Sequence, residues 1–466
     1  METPLYRRVL VALDSSPYAG RALTQGVAVA SLTEGAVITG LHAFAAKLHD
    51  LRFRQMEGGL PEQYRQEEVL EDQRQTHDTL ISKGLTLISD SYLAVGQRVC
   101  QEAGIPYQPL SVEGKNYAVL SQAVASGGHD LLVMGAQGVG AVPGEQLGGV
   151  CARTVRRTSI DTLVVKQPGE TAATGPIVVA LDGSAHAYGG LCTALQLGRH
   201  WQRPVILVAA YDPHYHYVVF NNIAQVLSTE GAQVFKFEEQ EKLHEEIIDS
   251  GLAKIYQAHL DAGASMAREQ GIEVECVLLA GKPTVSIARF LHERTPSLLV
   301  LGKIGIHADA ALDIGWVTEN LLRLAPCDLL ISCRTHLPEL DRLARFTTSW
   351  SVEAEARMER VPVFVRQMAR MAILRYAADR GHTVITERLV EEATAALMPA
   401  HAHQTMAAVV QAAERLPWSR AALAMLATLA DEALQANVRL RAEKAARQAQ
   451  AAEVMPAHVA PFLHPQ

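Results

Sequence analysis

An internal repeat constrains the fold of this chain more than any other feature of its sequence. The stretch Val-Ala-Leu-Asp14 recurs as Val-Ala-Leu-Asp182, and Leu-Leu-Val-Met-Gly135 recurs as Leu-Leu-Val-Leu-Gly302. The first pair is offset by 168 residues and the second by 167. Two widely separated motifs that keep their offset to within one residue indicate a duplicated domain.

Each copy contains five short apolar runs separated by longer amphipathic stretches. The runs are Val9–Leu13, Val37–Phe44, Ile105–Val112, Leu131–Met134 and Thr162–Val165 in copy one, and Ile177–Leu181, Val205–Ala210, Glu273–Leu279, Leu298–Leu301 and Asp328–Ile331 in copy two. Near-continuous apolar character is typical of parallel strands that are covered on both faces. Helices such as Ala19–Ala30 and Ser184–His200 are predicted between them. The sequence therefore predicts an α/β fold with two tandem five-stranded parallel sheets.

Sequence rich in Ala, Arg and Glu follows the repeat and predicts a C-terminal all-α region. The predicted segments are 1–167 for copy one, 176–335 for copy two, 348–399 for a small helical module and 404–452 for a helical tail. A flexible linker is predicted over 167–175. Long connections follow the second strand of each copy, over 47–75 and 212–241. We expect both to be solvated loops that lead into helices over 76–103 and 242–270. Alternatively, they are binding loops, since connections of this length often bind ligands.

The fifth strands, Thr162–Val165 and Asp328–Ile331, are predicted to join the two copies. An exposed strand edge needs to be covered, and a duplicated domain supplies a matching edge within the same chain. We therefore expect the copies to pack about a pseudo-twofold axis through these strands. A homo-oligomer formed through the C-terminal helices is a further expectation.

Composition excludes several classes of protein. The 466 residues carry a net charge of −8, which argues against a nucleic-acid-binding surface because phosphate binding needs a basic face. No apolar run approaches the roughly 18 residues of a membrane span, and the apolar stretch Val9–Leu13 is too short for a signal peptide. Six scattered cysteines without a Cys-x-x-Cys pair predict a reduced, cytoplasmic protein with no zinc or iron–sulfur site.

A glycine-rich loop follows the fourth strand of each copy and leads into a helix. Its candidate phosphate-binding glycines are Gly135, Gly138, Gly140, Gly148 and Gly149 in copy one and Gly302, Gly305 and Gly315 in copy two. Such a turn presents backbone N–H groups at the positive end of a helix dipole and can hold phosphate. Asp14 and Asp182 end the first strands at the same sheet edge, where a carboxylate can accept hydrogen bonds from a ribose or base. Alternatively, the glycines only turn the chain and the aspartates cap helices.

The strand-Asp pattern followed by Gly-x2-Gly-x9-Gly, a helix and an apolar strand occurs twice, and it resembles the universal stress protein family in a tandem arrangement over about residues 5–335. The resemblance implies a Rossmann-like parallel sheet in each copy and pairing between the copies. In one subclass it also implies ATP binding by the aspartate and the glycine loop. The candidate ligand is thus ATP or a related adenine nucleotide.

The two loops depart from the ATP-binding pattern of this family. That pattern places Ser or Thr after the last glycine, whereas copy one has Gly149 and copy two has Trp316. Gly149 leaves a backbone donor free, while the Trp316 indole either fills the phosphate site or stacks on a planar group. Glu145 would repel phosphate if it points inward, and loop two offers Lys303 and His307. Copy one is therefore expected to bind nucleotide more tightly than copy two.

The small helical module begins near Trp350 and resembles the C-terminal domain of the light-independent protochlorophyllide reductase B subunit, through Trp350, Val361–Arg366, Gly381 and Ile385-Thr386. Ser351 and Thr386 are predicted N-caps and Gly381 a helix stop. No cysteine follows Cys333, so we transfer the module as a docking or ligand-contact element and not the reductase chemistry.

These observations favour a non-enzymatic stress-response or regulatory protein that binds nucleotide in copy one and docks an unidentified protein partner through its C-terminal helices. The alternative is a nucleotide-free scaffold with degenerate sites. An ATPase is disfavoured because no general base or pair of magnesium-binding carboxylates can be assigned. The histidine pairs His214/His216 and His401/His403 are interpreted as solvated loop residues, because no third metal ligand is identifiable.

Overall fold

The apolar runs of both copies form strands, and all ten strands lie in one sheet in this computed structural model. The strands are β1 Arg8–Ala12, β2 Val37–Phe44, β3 Tyr107–Glu113, β4 Leu131–Gly135, β5 Asp161–Val165, β6 Ile177–Ala180, β7 Val205–Tyr211, β8 Val274–Ala280, β9 Leu298–Gly302 and β10 Asp328–Ser332. The helices around them are α1 Pro17–Ala30, α2 Ala46–Met56, α3 Glu67–Glu102, α4 Asn116–Gly127, α5 Gly149–Arg157, α6 Ala185–Trp201, α7 Asp249–Glu269, α8 Pro283–Arg294 and α9 Trp316–Leu324.

These elements belong to the first of two compact units, Met1–Ser349 and Trp350–Gln466. The structure describes residues 5–462 apart from 143, 169–173, 213–248, 308–311, 340–346, 362 and 398–415, with only scattered positions between 429 and 450. Both predicted histidine pairs lie outside the described residues, as do most of the 212–241 connection, the centre of the 167–175 linker and much of the helical tail.

The strand order is β3-β2-β1-β4-β5-β10-β9-β6-β7-β8, which reads as one five-stranded order followed by its mirror. All pairings within a copy are parallel, whereas β5 and β10 pair antiparallel, with Leu330 opposite Leu163. Every residue of these two strands is buried, while the outer strands β3 and β8 are partly exposed. The predicted pairing of the fifth strands about a pseudo-twofold axis is confirmed.

Asp161 and Asp328 occupy equivalent positions in the two copies, and each stabilises the β5–β10 pairing, here called the seam, by accepting hydrogen bonds from the other copy. Asp161 opens β5 and accepts hydrogen bonds from the backbone N–H groups of Cys333 (2.7 Å) and Arg334 (3.2 Å), just past the end of β10. Asp328 opens β10 and accepts one from the backbone N–H of Lys166 (2.8 Å), just past β5. Because each aspartate satisfies donors of the other copy, the seam is held by buried charge-assisted hydrogen bonds as well as by strand pairing.

Two lysines extend this reciprocity to the helices. Lys166 Nζ donates to the carbonyl oxygens of Leu322 (2.9 Å) and Arg323 (2.7 Å) at the end of α9. Lys303 Nζ donates to the carbonyl oxygens of Arg156 (3.0 Å) and Thr158 at the end of α5. A cation at a helix C-terminus is favourable because it meets unpaired carbonyls and the negative end of the helix dipole.

One apolar core runs along a face of the sheet through both copies. It includes Val11 and Val133 of copy one together with Val179 and Val300 of copy two, all fully buried. The alternate residues of the same strands enter two further clusters on the opposite face. The ten strands therefore share one hydrophobic layer instead of forming two separate sheets, each with its own core.

The prediction of a solvated loop over residues 47–75 is wrong. Helix α2 and two short 3-10 turns occupy this connection, and α3 begins at Glu67, well before the predicted start of the helix at residue 76. The Phe53 ring stacks on His77 with centroids 4.1 Å apart. Arg74 donates to both carboxylate oxygens of Glu57, at 2.7 and 2.8 Å. These contacts between α2, its following turn and α3 order the charged sequence.

The second unit contains the predicted three-helix module. Its elements are β11 Ser349–Trp350, α10 Val352–Glu359, α11 Val363–Asp379, β12 Val384–Ile385, α12 Glu387–Leu397, α13 Arg420–Leu426 and α14 Pro456–Val459. Both predicted N-caps are confirmed, since Ser351 Oγ accepts from Ala354 N (3.2 Å) and Thr386 Oγ1 from Leu389 N (3.3 Å). Gly381 has a φ of +72° just after α11, as expected of a helix stop.

Substitution of two buried tyrosines tests how much the hydrogen bonds of Asp161 contribute to the stability of the first unit. The Tyr6 hydroxyl donates to Asp161 Oδ2 at 2.5 Å, whereas the Tyr188 hydroxyl is buried without a partner among the described residues. Tyr6→Phe should lower the free energy of unfolding of the first unit by about 1.5–3 kcal/mol, since a hydrogen bond to a charged group is lost. Tyr188→Phe should change it by less than about 0.5 kcal/mol. Urea unfolding of both variants measures the difference, and equal losses would contradict this account.

Candidate functional site

Asp14 links the copy-one glycine loop to the end of strand β1 through hydrogen bonds. Its Oδ1 accepts the backbone N–H of Ser16 (2.8 Å), at the start of α1. Its Oδ2 accepts the backbone N–H of Val139 (3.2 Å), in the middle of the loop. Ser16, not Asp14, caps α1, because Ser16 Oγ accepts from Ala19 N. The Asp14 carboxylate therefore stabilises the position of the loop. A role for Asp14 as a helix cap alone does not account for its hydrogen bond with Val139.

The first two glycines are required by close approach. A Cβ on Gly138 would lie 2.6 Å from Asp14 Oδ2, and a Cβ on Gly135 would lie 2.6 Å from the Cβ of Tyr18. In contrast, a Cβ on Gly140 or Gly149 would meet nothing within 4 Å. The loop thus closes onto Asp14 at one end and stays open at Gly149.

Some backbone N–H groups of the loop bind acceptors within the loop, and others are available to a ligand. The Gly148 N–H donates to the carbonyl oxygen of Ala136 at 2.8 Å, so this predicted phosphate contact is engaged within the loop. Helix α5 starts at Gly149, and the N–H groups of Gly149 and Val150 in its first turn have no acceptor within the helix. No acidic residue lies in that turn, so the helix dipole favours an anion there.

A cavity of about 660 Å³ opens beside this loop, within the range of small-molecule sites. Asp14, Gly138 and Gly149 line it together with apolar residues of β1, β2 and β4. His42 on β2 and Asn116 at the start of α4 add polar groups. The arrangement combines a carboxylate, an imidazole and an amide with free backbone donors, which suits a sugar or base joined to a phosphate.

The sequence analysis did not single out His42 or Asn116. Burial lowers the pKa of His42, so its ring is neutral near pH 7, and its Nδ1 is buried without a partner among the described residues. The Tyr92 ring meets it edge-on with centroids 5.0 Å apart. Both residues follow the rule that ligand groups gather near the carboxyl ends of parallel strands, and this rule is the signal that could have identified them.

Copy two repeats the construction around Asp182. Its carboxylate accepts the backbone N–H groups of Ser184 (3.0 Å) and Ile306 (3.0 Å). A Cβ on Gly305 would lie 2.7 Å from Asp182 Oδ2, and one on Gly302 would lie 2.8 Å from Ala187 N. The Gly315 N–H donates to the carbonyl oxygen of Lys303 at 2.8 Å. Both loops are therefore held by equivalent hydrogen bonds between an aspartate and backbone N–H groups.

Several side chains around the loops occupy positions that the sequence did not establish. Trp316 is 74% exposed, so its indole does not fill the phosphate position. The expectation that Lys303 serves phosphate is wrong, because Lys303 is buried and its ammonium group binds the end of α5. Glu145 is exposed at the cavity edge of copy one, and its carbonyl oxygen accepts from the side chain of Gln137. His307 lines a cavity of about 330 Å³ in copy two.

Within the described residues, no cluster of three or more His, Cys, Asp or Glu side chains has the arrangement of a metal site. The described helices also include none that is long and apolar enough to span a bilayer.

Comparisons with known proteins agree with the repeat. Residues 5–166 and 174–332 match the universal stress protein family, and residues 350–393 match the family described as proto-chlorophyllide reductase 57 kD subunit. No curated protein sequence matches the chain.

Similar solved structures carry the same family description. A universal stress protein from Archaeoglobus fulgidus is 14% identical with a TM-score of 0.41, covering 71% of this chain and 97% of its own. A universal stress protein in complex with cAMP is 22% identical with a TM-score of 0.24, covering 35% and 99%. A family member from Burkholderia pseudomallei is 23% identical with a TM-score of 0.22, covering 35% and 98%.

Gly138 and Gly140 form a matched pair for testing how the loop is held. Gly138→Ala should displace the Asp14 carboxylate from the Val139 N–H, because the added Cβ would lie 2.6 Å from Oδ2. Gly140→Ala should leave the loop in place, because its Cβ enters open space. Hydrogen exchange followed by mass spectrometry over residues 136–149 should show faster exchange only in the first variant. Similar protection in both variants would contradict the proposed hold of Asp14 on the loop.

Proposed function

Because the chain belongs to the universal stress protein family, we propose that it is a non-enzymatic stress-response and regulatory protein that binds ATP or a related adenine nucleotide in copy one. The observation that carries this proposal is the glycine loop, fastened by Asp14 at one end and open at Gly149 above a cavity of about 660 Å³.

The phosphates are proposed to lie against Gly138 and the first turn of α5, where the N–H groups of Gly149 and Val150 point outward from the helix end. Asp14 lies at the other end of the cavity, near the ribose or base, with His42 and Asn116 on the walls. A carboxylate oxygen can accept two hydrogen bonds, so each Asp14 oxygen keeps acceptor capacity after binding one backbone N–H.

A binding role is proposed rather than catalysis because Asp14 is already engaged by two backbone donors. Such a carboxylate is better placed to hold the loop and a ligand than to activate water, because both of its oxygens already bind the backbone groups that shape the site. Nucleotide would then order the Gly135–Gly149 loop and alter a surface that a partner recognises.

The second unit is proposed to dock that partner in the cytoplasm. Met368 on α11 is 69% exposed and Val352 at the start of α10 is 81% exposed. Met368 also lines a shallow surface cavity with Met371 and Arg375. An exposed methionine side chain next to a half-buried one and a cation suits a protein surface that is apolar and acidic. Self-association through these helices is a further proposal.

The nucleotide-free scaffold remains the second candidate function. It is favoured by the internal hydrogen bonds of loop one, since the Gly148 N–H and the Gln137 amide are both engaged within the loop. Denaturing the purified protein and analysing the released small molecules distinguishes the two. A stoichiometric adenine nucleotide supports the first function. An empty protein that also fails to bind added ATP supports the scaffold.

Asp14 and Asp182 make the same contacts in the two copies, so they are matched controls for nucleotide binding. Asp14→Ala should weaken nucleotide binding by about 1.5–3 kcal/mol, because a hydrogen bond to a charged carboxylate is removed and loop one is released. Asp182→Ala releases loop two and should leave nucleotide affinity within about threefold of wild type. Titration calorimetry with ATP on both variants measures this. If Asp182→Ala is the variant that abolishes binding, copy one is not the site.

A further inference from the structure

The cavity of copy two has the same backbone framework as that of copy one but a different lining. At offsets of 167 and 168 residues, Ala210 replaces His42, Pro283 replaces Asn116, and Leu312 replaces Glu145. All six residues line their respective cavities. These three polar wall positions of copy one are thus apolar in copy two, while His307 and Thr318 replace Gly140 and Cys151. The chemistry that each cavity accepts therefore differs although the loops match.

The mouth of the copy-two cavity exposes three large apolar side chains. Trp316 is 74% exposed, Ile306 is 48% exposed and Leu312 is 47% exposed, and all three line the cavity. Trp316 replaces Gly149, the residue that leaves loop one open. A large exposed indole at the entrance of an apolar cavity provides a flat face on which another ring can stack.

The phosphate-binding end of this loop is weakened in copy two. Glu319 lies in the first turn of α9, where its negative charge opposes an anion, whereas the first turn of α5 in copy one contains no acidic residue. Asp313 lies two residues before Gly315, and Arg156 is shared between Asp313 (3.2 Å) and Glu319. Arg323 also pairs with Glu319 at 3.7 Å. A triphosphate at this position would meet two carboxylates, and the guanidinium groups beside them are already engaged in these ion pairs.

Asp182 is the one carboxylate among the described residues that line this cavity. The lining also contains Tyr256, His307 and Thr318, and the Thr318 hydroxyl already donates to the carbonyl oxygen of Gly302. Each Asp182 oxygen accepts one backbone N–H, at 3.0 Å in both cases. Since a carboxylate oxygen has two lone pairs, Asp182 can accept a further hydrogen bond from a ligand. The cavity of about 330 Å³ therefore combines largely apolar walls, a carboxylate acceptor at Asp182 and the exposed aromatic face of Trp316.

We propose that copy two binds a planar aromatic molecule without phosphate groups, which donates an N–H or O–H to Asp182 and stacks on Trp316. This site is separate from the nucleotide site proposed for copy one and does not depend on it. The repeat would then carry two different ligand classes on one framework, with Trp316 selecting the class in copy two.

Indole is a suitable probe because it is planar and apolar and has one N–H donor, and 1-methylindole is the matched probe without the donor. Equilibrium dialysis of the full chain should show one indole bound per chain. Binding of 1-methylindole should be about tenfold weaker, as expected for the loss of a hydrogen bond to a carboxylate. Equal binding of the two probes, or no binding of indole to the wild type, would overturn the proposal.

Substitutions that restore the copy-one residues test the same site. Trp316→Gly and Leu312→Glu alter exposed side chains and should leave the fold intact. Each should weaken indole binding, and together they should reduce it at least tenfold. Val285→Ala is the control, because Val285 is a similarly exposed apolar residue of copy two that does not line the cavity. Unchanged indole affinity in the double variant would show that the cavity mouth is not the site.

The outcome is separable from that for copy one. Asp14→Ala should keep indole binding whether or not the wild type binds ATP, and saturating ATP should not displace indole. If ATP displaces indole in proportion to its own binding, the two ligands share one site and the proposal fails. If the chain binds indole as expected but no nucleotide, only the proposed function of copy one fails.

Discussion

The antiparallel pairing of β5 with β10 is the interaction on which the arrangement of both sites depends. Each five-stranded sheet ends in a fully buried fifth strand, and such an edge is stable only when another strand satisfies its backbone groups. Asp161 and Asp328 secure the pairing by accepting N–H groups from the opposite copy. Because the pairing is antiparallel, the carboxyl ends of the two sets of strands point in opposite directions across the seam. The two glycine loops therefore serve separate cavities.

This separation allows the two copies to diverge without loss of the fold. The contacts that shape each loop involve the backbone and one aspartate, so they tolerate changes elsewhere in the walls. Copy one has Gly149 and the wall residues His42 and Asn116, whereas copy two has Trp316, Ala210 and Pro283 at these positions. Lys303 likewise has a structural role and not a ligand-binding one. It follows the loop glycine Gly302, but its ammonium group stabilises the end of a helix in the other copy.

The repeat made the fold predictable because the apolar runs of the strands are local features of the sequence and the constant offset between the copies can be read from it directly. The pairing of Thr162–Val165 with Asp328–Ile331 followed from the need to cover two equivalent edges. The N-caps Ser351 and Thr386 were predictable for the same reason, since capping acts over three residues. The candidate loop glycines and aspartates were likewise visible in the sequence, and Asp14 and Gly138 do meet in the structure.

Other features depend on contacts between residues that are far apart in the sequence, which local sequence patterns do not reveal. Lys303 was expected to face a ligand, but its partners are carbonyl groups of residues 156 and 158 in the other copy. The 47–75 connection was expected to be a loop because of its charge, yet the Glu57–Arg74 and Phe53–His77 pairs order it. His42 and Asn116 are single residues in ordinary surroundings, and they become part of a site only when β2 and α4 come together beside loop one.

Photo-crosslinking with 8-azido-ATP, followed by peptide mapping of the labelled full-length chain, tests the central claim most directly, because it reports which loop holds the nucleotide. The account predicts one label per chain, suppressed by excess ATP, within the peptides that contain Asp14, His42 or residues 135–150. Labelling of residues 302–318 that excess ATP suppresses would contradict it, because the site would then lie in the copy where Trp316 and Glu319 lie in the first turn of the helix that follows the loop.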